Sequence, residues 1–130
     1  MAGEEAAMGW FAVGALAAGI GVALGAFGAH GLKTRVEPAL LDVFETGVRY
    51  HLIHALALLV LGVAQARNPA PLLQAASWLL LGGIVIFSGS LYLMTFTGAR
   101  WLGAITPIGG VLFLLGWAAA ALASMKVTTS

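Results

Sequence analysis

The side chains with the most chemical capacity in this chain crowd between positions 45 and 54. The run reads Glu45-Thr46-Gly47-Val48-Arg49-Tyr50-His51-Leu52-Ile53-His54. Glu45 and Arg49 are four apart, so on a helix they share a face and can pair. Thr46, Tyr50 and His54 recur at the same spacing on the adjoining stripe. An ionisable cluster inside a membrane segment is the usual mark of substrate or proton handling. The plainer reading is a structural Glu45–Arg49 pair, because an unpaired charge near lipid is costly. Either way Glu45, Arg49 and His54 are expected to face the protein interior.

Three imidazoles, His30, His51 and His54, invite a metal reading. The remaining donors close in sequence are Asp42 and Glu45, a turn or more from the histidines. No metal site is therefore expected. A bis-histidine haem needs ligands on facing positions, and His30 alone could face the second helix. No cofactor is expected.

A second polar cluster is Phe87-Ser88-Gly89-Ser90-Leu91-Tyr92, with Thr106-Pro107 further on. Hydroxyls inside a helix often bond back to their own backbone. Pro107 frees a carbonyl and can kink its helix, and a nearby hydroxyl could compensate. No nucleophile, base and orienting group fall together, and no strand precedes Gly89-Ser90 to make a nucleophile elbow. No catalytic residue is assigned and no enzymatic activity is expected. The candidate polar site is His30, Glu45, Arg49, Tyr50, His54, Ser88, Ser90 and Tyr92.

The elements that must position these groups are set by composition. Hydrophobic residues make up 61% of the 130 residues and charged residues 8%, against about 25% charged in soluble domains. A soluble fold of this size could not cover so much apolar surface, whereas lipid leaves the outer helix faces free to be apolar. The net charge of +1 excludes the basic footprint of a nucleic-acid binder. With no cysteine, disulfides, thiolate metal sites and cysteine nucleophiles are excluded.

Charge positions divide the chain into four uncharged runs, after Glu5, Arg49, Arg67 and Arg100. Spanning hydrocarbon takes ~20 apolar residues as helix. The runs predict an all-α, four-helix transmembrane bundle with spans near 8–29, 46–66, 72–97 and 101–124. Asn68-Pro69-Ala70-Pro71 and Gly98-Ala99-Arg100 should be tight turns, favouring up-down-up-down order. The apolar runs do not alternate with period two, which argues against a barrel. Glu4 and Glu5 stand where a signal peptide would be basic, so cleavage is not expected.

The one long connection, Lys33–Arg49, holds more than half of all charge. Leu40, Leu41, Phe44 and Val48 recur at helical spacing with Asp42, Glu45 and Arg49 between them. This reads as a short amphipathic helix at the membrane surface, running into the second span or bending at Gly47. Trp10 and Trp101 fall at predicted helix ends and suit an interfacial belt. One membrane side holds Lys33, Arg35, Arg49 and Arg100, the other Arg67 and Lys126. The positive-inside rule puts the first group in the cytoplasm and both termini outside.

The first helix carries Gly14, Ala18, Gly21, Gly25 and Gly28 at alternating spacings of four and three, one stripe of small residues. Such a stripe lets helix backbones approach closely in lipid. A neighbouring helix of the same chain is the favoured contact, a second copy the other.

Gly25-Ala26-Phe27-Gly28-Ala29-His30-Gly31-Leu32-Lys33, Phe44–Tyr50, His54-Ala55-Leu56-Ala57, Phe87–Tyr92 and Thr106-Pro107-Ile108-Gly109-Gly110 together span most of the chain. In these segments it resembles the YgdD-like family of small bacterial membrane proteins of unknown function. The resemblance implies a multi-pass inner-membrane protein with four helices and carries over no activity. Two classes of function follow. The first is a structural or accessory protein that packs on a larger complex or on itself. The second is a small permease or proton-linked carrier using Glu45, Arg49 and His54, which needs them at one water-reachable site. A quinone-binding or redox role ranks behind both. The partners expected are the lipid bilayer and a membrane protein or second copy, not nucleic acid.

Overall fold

In the computed structural model, which describes residues 2–129 and the side chains of residues 9–126, the chain is helical with no strand among the described residues. Helix α1 (Ala2–Phe27) runs into a π-turn, Gly28–Leu32. Helix α2 is Pro38–Arg67. The third span is α3 (Pro71–Gly83), a π-turn Ile84–Ser88 and α4 (Gly89–Thr97) in one continuous run. A 3-10 turn, Arg100–Ala104, leads into α5 (Thr106–Thr129). Among the described residues, four segments are long and apolar enough to cross a membrane: Gly9–Leu32, Pro38–Arg67, Pro71–Thr97 and Arg100–Lys126.

The breaks have local causes. Helices α2 and α3 open with Pro38 and Pro71 in the first turn, where the missing N–H costs nothing. Gly98 ends α4 at φ +70°, the left-handed cap conformation that glycine adopts without strain, and its N–H bonds to Met94 O. Pro107 lies in the first turn of α5, after the 3-10 turn, so it starts that helix and does not kink it.

The expected surface helix is not a separate element. Pro38 to Glu45 is the first part of α2, a single helix of 30 residues. Gly47 is not a hinge: a Cβ there would come within 2.9 Å of the Tyr92 ring, so it is a close-packing point against α4.

The second and third spans form the centre, and α1 and α5 are the less covered spans. Helix α1 packs mainly on α2, and α5 mainly on α3 and its π-turn. The small-residue stripe of α1 is spent on the first of these contacts. An added Cβ at Gly14 would lie 2.7 Å from Leu59 N and 2.9 Å from Ala55 O, both backbone atoms of α2. Gly21, Gly25 and Gly28 face Leu52, Val48 and Phe44 in turn. Ala18 falls on the same stripe, half-buried.

Trp10 does not join an interfacial belt. It is buried, its indole N–H donates to Gln74 Oε1 at 2.8 Å, and Trp78 packs edge-on against it. An indole with an acceptor on the neighbouring helix gains more from burial than from the interface. Trp101 is exposed, as a belt residue should be.

Candidate functional site

The eight predicted polar residues do not form one site. Glu45 and Arg49 are both exposed on α2, and neither makes an ion pair or hydrogen bond among the described residues. The expectation that they face inward is thereby corrected: the packed side of α2 here is taken by Phe44, Gly47, Val48 and His51, and Glu45 and Arg49 fall on its exposed side. His30 is exposed in the π-turn after α1, apart from the other imidazoles.

The remaining members make cross-links between helices, and Ser88 and Tyr92, one turn apart, also interact with each other. Tyr92 meets His51, a residue outside the predicted set: His51 Nδ1 and Tyr92 Oη are 2.8 Å apart, and His51 Nε2 lies 2.7 Å from Ala17 O. A carbonyl only accepts, so Nε2 carries the proton and Nδ1 accepts from the Tyr92 hydroxyl. His51 thereby joins α1, α2 and α4. Ser88 donates to Gly47 O at 2.7 Å, tying the π-turn to α2. Ser90 and Thr106 share a 2.6 Å hydroxyl contact, and Ser90 also donates to Phe87 O at 2.8 Å.

His54 is buried as expected but holds the opposite tautomer. Its Nδ1 is 2.7 Å from Tyr50 O, which must accept, and its Nε2 takes the Trp117 indole N–H at 3.0 Å. The Phe113 ring stacks on it at a centroid distance of 3.6 Å, and the half-exposed Tyr50 ring lies parallel at 6.1 Å. Both ring nitrogens of each buried histidine are thus already engaged within the chain. A metal ion at either would have to displace Tyr92 or Trp117.

Sequence reasoning took His51 only as a possible metal ligand. One signal could have placed it. Phe44, Val48, His51, Ala55, Leu58, Gly62 and Gln65 follow alternating spacings of four and three, and all are buried. This is the seam that meets the small stripe of α1. Further along it, Gln65 Nε2 donates to Ser77 Oγ at 3.1 Å and Ser77 to Leu73 O at 3.0 Å, a link to α3 that sequence reasoning also missed.

Beside His54 lies a groove of about 620 Å³ that opens sideways between α2 and α5. Phe87 and Phe113 lie along it, Arg49 and Tyr50 stand on its α2 side, and α5 contributes Pro107 through Trp117. Nothing in the sequence pattern marked it, because its walls come from distant helices.

Four apolar spans joined by short turns, with polar groups used as inter-helix bonds, define a polytopic integral membrane protein. The family model described as "Protein of unknown function (DUF423)" matches residues 24–110. The chain belongs to that family. It is 45% identical over 115 residues to the UPF0382 membrane protein YwdK of Bacillus subtilis, covering 88% of this chain and 94% of the relative. A UPF0382 membrane protein of Staphylococcus epidermidis is 46% identical over 114 residues, 88% and 93% of the two chains. One of Haemophilus influenzae is 44% identical over 106 residues, 81% and 84%. No solved structure matches.

Proposed function

We propose that this chain is an accessory protein of the bacterial inner membrane, which acts through its surfaces on a larger complex or a second copy and turns over no substrate. One observation carries this reading. Among the described residues, every buried side-chain nitrogen and oxygen has a hydrogen-bond partner within the chain. The interior polar groups hold helices together, so the groups left to act lie outside. The carrier reading needs Glu45, Arg49 and His54 at one site. Here the two charged residues are exposed, and both nitrogens of His54 are committed.

The outer face of α1 is where contact with a partner is best tested. Ala12, Ala15, Gly19, Ala23 and Ala26 are all exposed there, and nothing lies within 4 Å of a Cβ placed on Gly19. Extraction into native nanodiscs should give particles heavier than one 13.3 kDa copy. Gly19→Ile should reduce them to single copies without lowering membrane abundance. A wild-type single copy that drives solute or proton uptake in liposomes would instead establish the carrier.

Helical spans suit an inner membrane, since outer-membrane spans are barrels. Lys33, Arg35, Arg49 and Arg100 gather at one end of the bundle, against Arg67 and Lys126 at the other. We therefore place the first end in the cytoplasm. Alkaline phosphatase fused after Ser130 should be active and green fluorescent protein fused there dark. The reverse pattern would invert the topology.

A further inference from the structure

The groove between α2 and α5 has a polarity gradient that matches one class of molecule. Its body is apolar: Phe87, Phe113, Val111 and Leu114 line it. Arg49 and Tyr50 also line it, on the α2 side. The Arg49 guanidinium and the Tyr50 hydroxyl make no hydrogen bond or ion pair among the described residues. The Trp117 indole N–H is spent on His54, so beyond Arg49 and Tyr50 the groove offers little to a polar ligand.

The dimensions agree. From Pro107 to Trp117 the α5 wall rises about 15 Å, half of the ~30 Å hydrocarbon core. The groove is therefore long enough to follow one leaflet, and its cationic group, Arg49, is exposed on the α2 side. Its volume of about 620 Å³ is in the range of small-molecule sites.

We propose that this groove is a site for an anionic phospholipid, with one acyl chain along Phe87, Phe113 and Leu114 and the phosphate on Arg49 and the Tyr50 hydroxyl. A basic residue beside a crevice between membrane helices is how anionic headgroups are held. A neutral lipid would gain the same acyl contacts without the charge. The acidic side chain nearest in sequence, Glu45, is a turn earlier in α2 and does not pair with Arg49, so the guanidinium is free for the phosphate. The assignment is independent of what meets the outer face of α1.

The test is lipid retention by the full-length chain, read by native mass spectrometry after extraction from vesicles of equal phosphatidylglycerol and phosphatidylcholine. One phosphatidylglycerol per chain should be kept in preference to phosphatidylcholine. Arg49→Ala should cut that preference about fivefold, the contribution of one basic residue near the surface. Arg100→Ala, a basic residue at the same end but outside the groove, should leave it unchanged. Gly110→Leu should block the groove and lower retention of both lipids, because the nearest atom to a Cβ there is Phe87 Cδ2 at 4.0 Å, which leaves room for the side chain without unfolding. Equal retention of the two lipids by the wild type would overturn the proposal. So would equal losses in Arg49→Ala and Arg100→Ala, undiminished retention in Gly110→Leu, or a second copy cross-linked through Gly110→Cys.

Discussion

Gly109→Leu should leave almost no folded protein in the membrane. At Gly109 the backbone of α5 lies directly on the third span. An added Cβ would stand 2.7 Å from Phe87 Cα and equally close to Phe87 Cβ. A flexible side chain could turn aside, but a backbone atom cannot. Relief requires the two helices to separate, which strains the Ser90–Thr106 contact and the stacking of Phe113 on His54. Overpacking ordinarily costs about 1–3 kcal/mol. For Gly109→Ala we expect the upper end of that range, read by unfolding in mild detergent, and for the leucine variant a loss of accumulation. Gly19→Ala is the control: nothing lies within 4 Å of its Cβ, so its stability should stay within about 0.5 kcal/mol of wild type. Equal stability of the two alanine variants would mean that α5 and the third span are not in backbone contact.

His51→Leu should cost about 1–3 kcal/mol, chiefly through the group it abandons. Ala17 O keeps a helical bond when the imidazole is removed. The Tyr92 hydroxyl loses its acceptor on α2 and has only Ser88 of its own span left in reach, and in hydrocarbon no water replaces the lost acceptor. Tyr92→Phe removes the hydroxyl itself, leaving His51 Nδ1 without its donor. The double variant removes both halves of the bond, so it should be little worse than the costlier single variant. The expected coupling is about 0.6–1.7 kcal/mol, the range of inter-helix hydrogen bonds in lipid. Strictly additive losses would show that the 2.8 Å contact does not form in the membrane. Arg49→Ala should differ in kind. The side chain is exposed and has no partner among the described residues, so its removal should leave stability within about 0.5 kcal/mol.

The amino-acid order alone determined the number of apolar spans and the two tight turns between them. Those follow from where charge stops and resumes and from where Asn68–Pro71 and Gly98 interrupt a helix. Periods of three and four along one helix are properties of that helix, so the small stripe of α1 was legible too. The sequence could not say which helix meets that stripe, because period gives a face and not its partner. Packing decided that Gly14, Gly21, Gly25 and Gly28 lie against α2. The same limit explains the polar residues. Spacing correctly put Thr46, Tyr50 and His54 on one stripe, but spacing carries no depth. Glu45 and Arg49 therefore read as an interior pair, when the folded chain leaves both exposed. It also passed over His51, whose bonds come from Ala17 on α1 and Tyr92 on α4. The groove beside Arg49 is the clearest case of what only the tertiary structure decides. Its walls are more than 50 residues apart in the chain, and they become one surface only because α2 and α5 both pack against the third span.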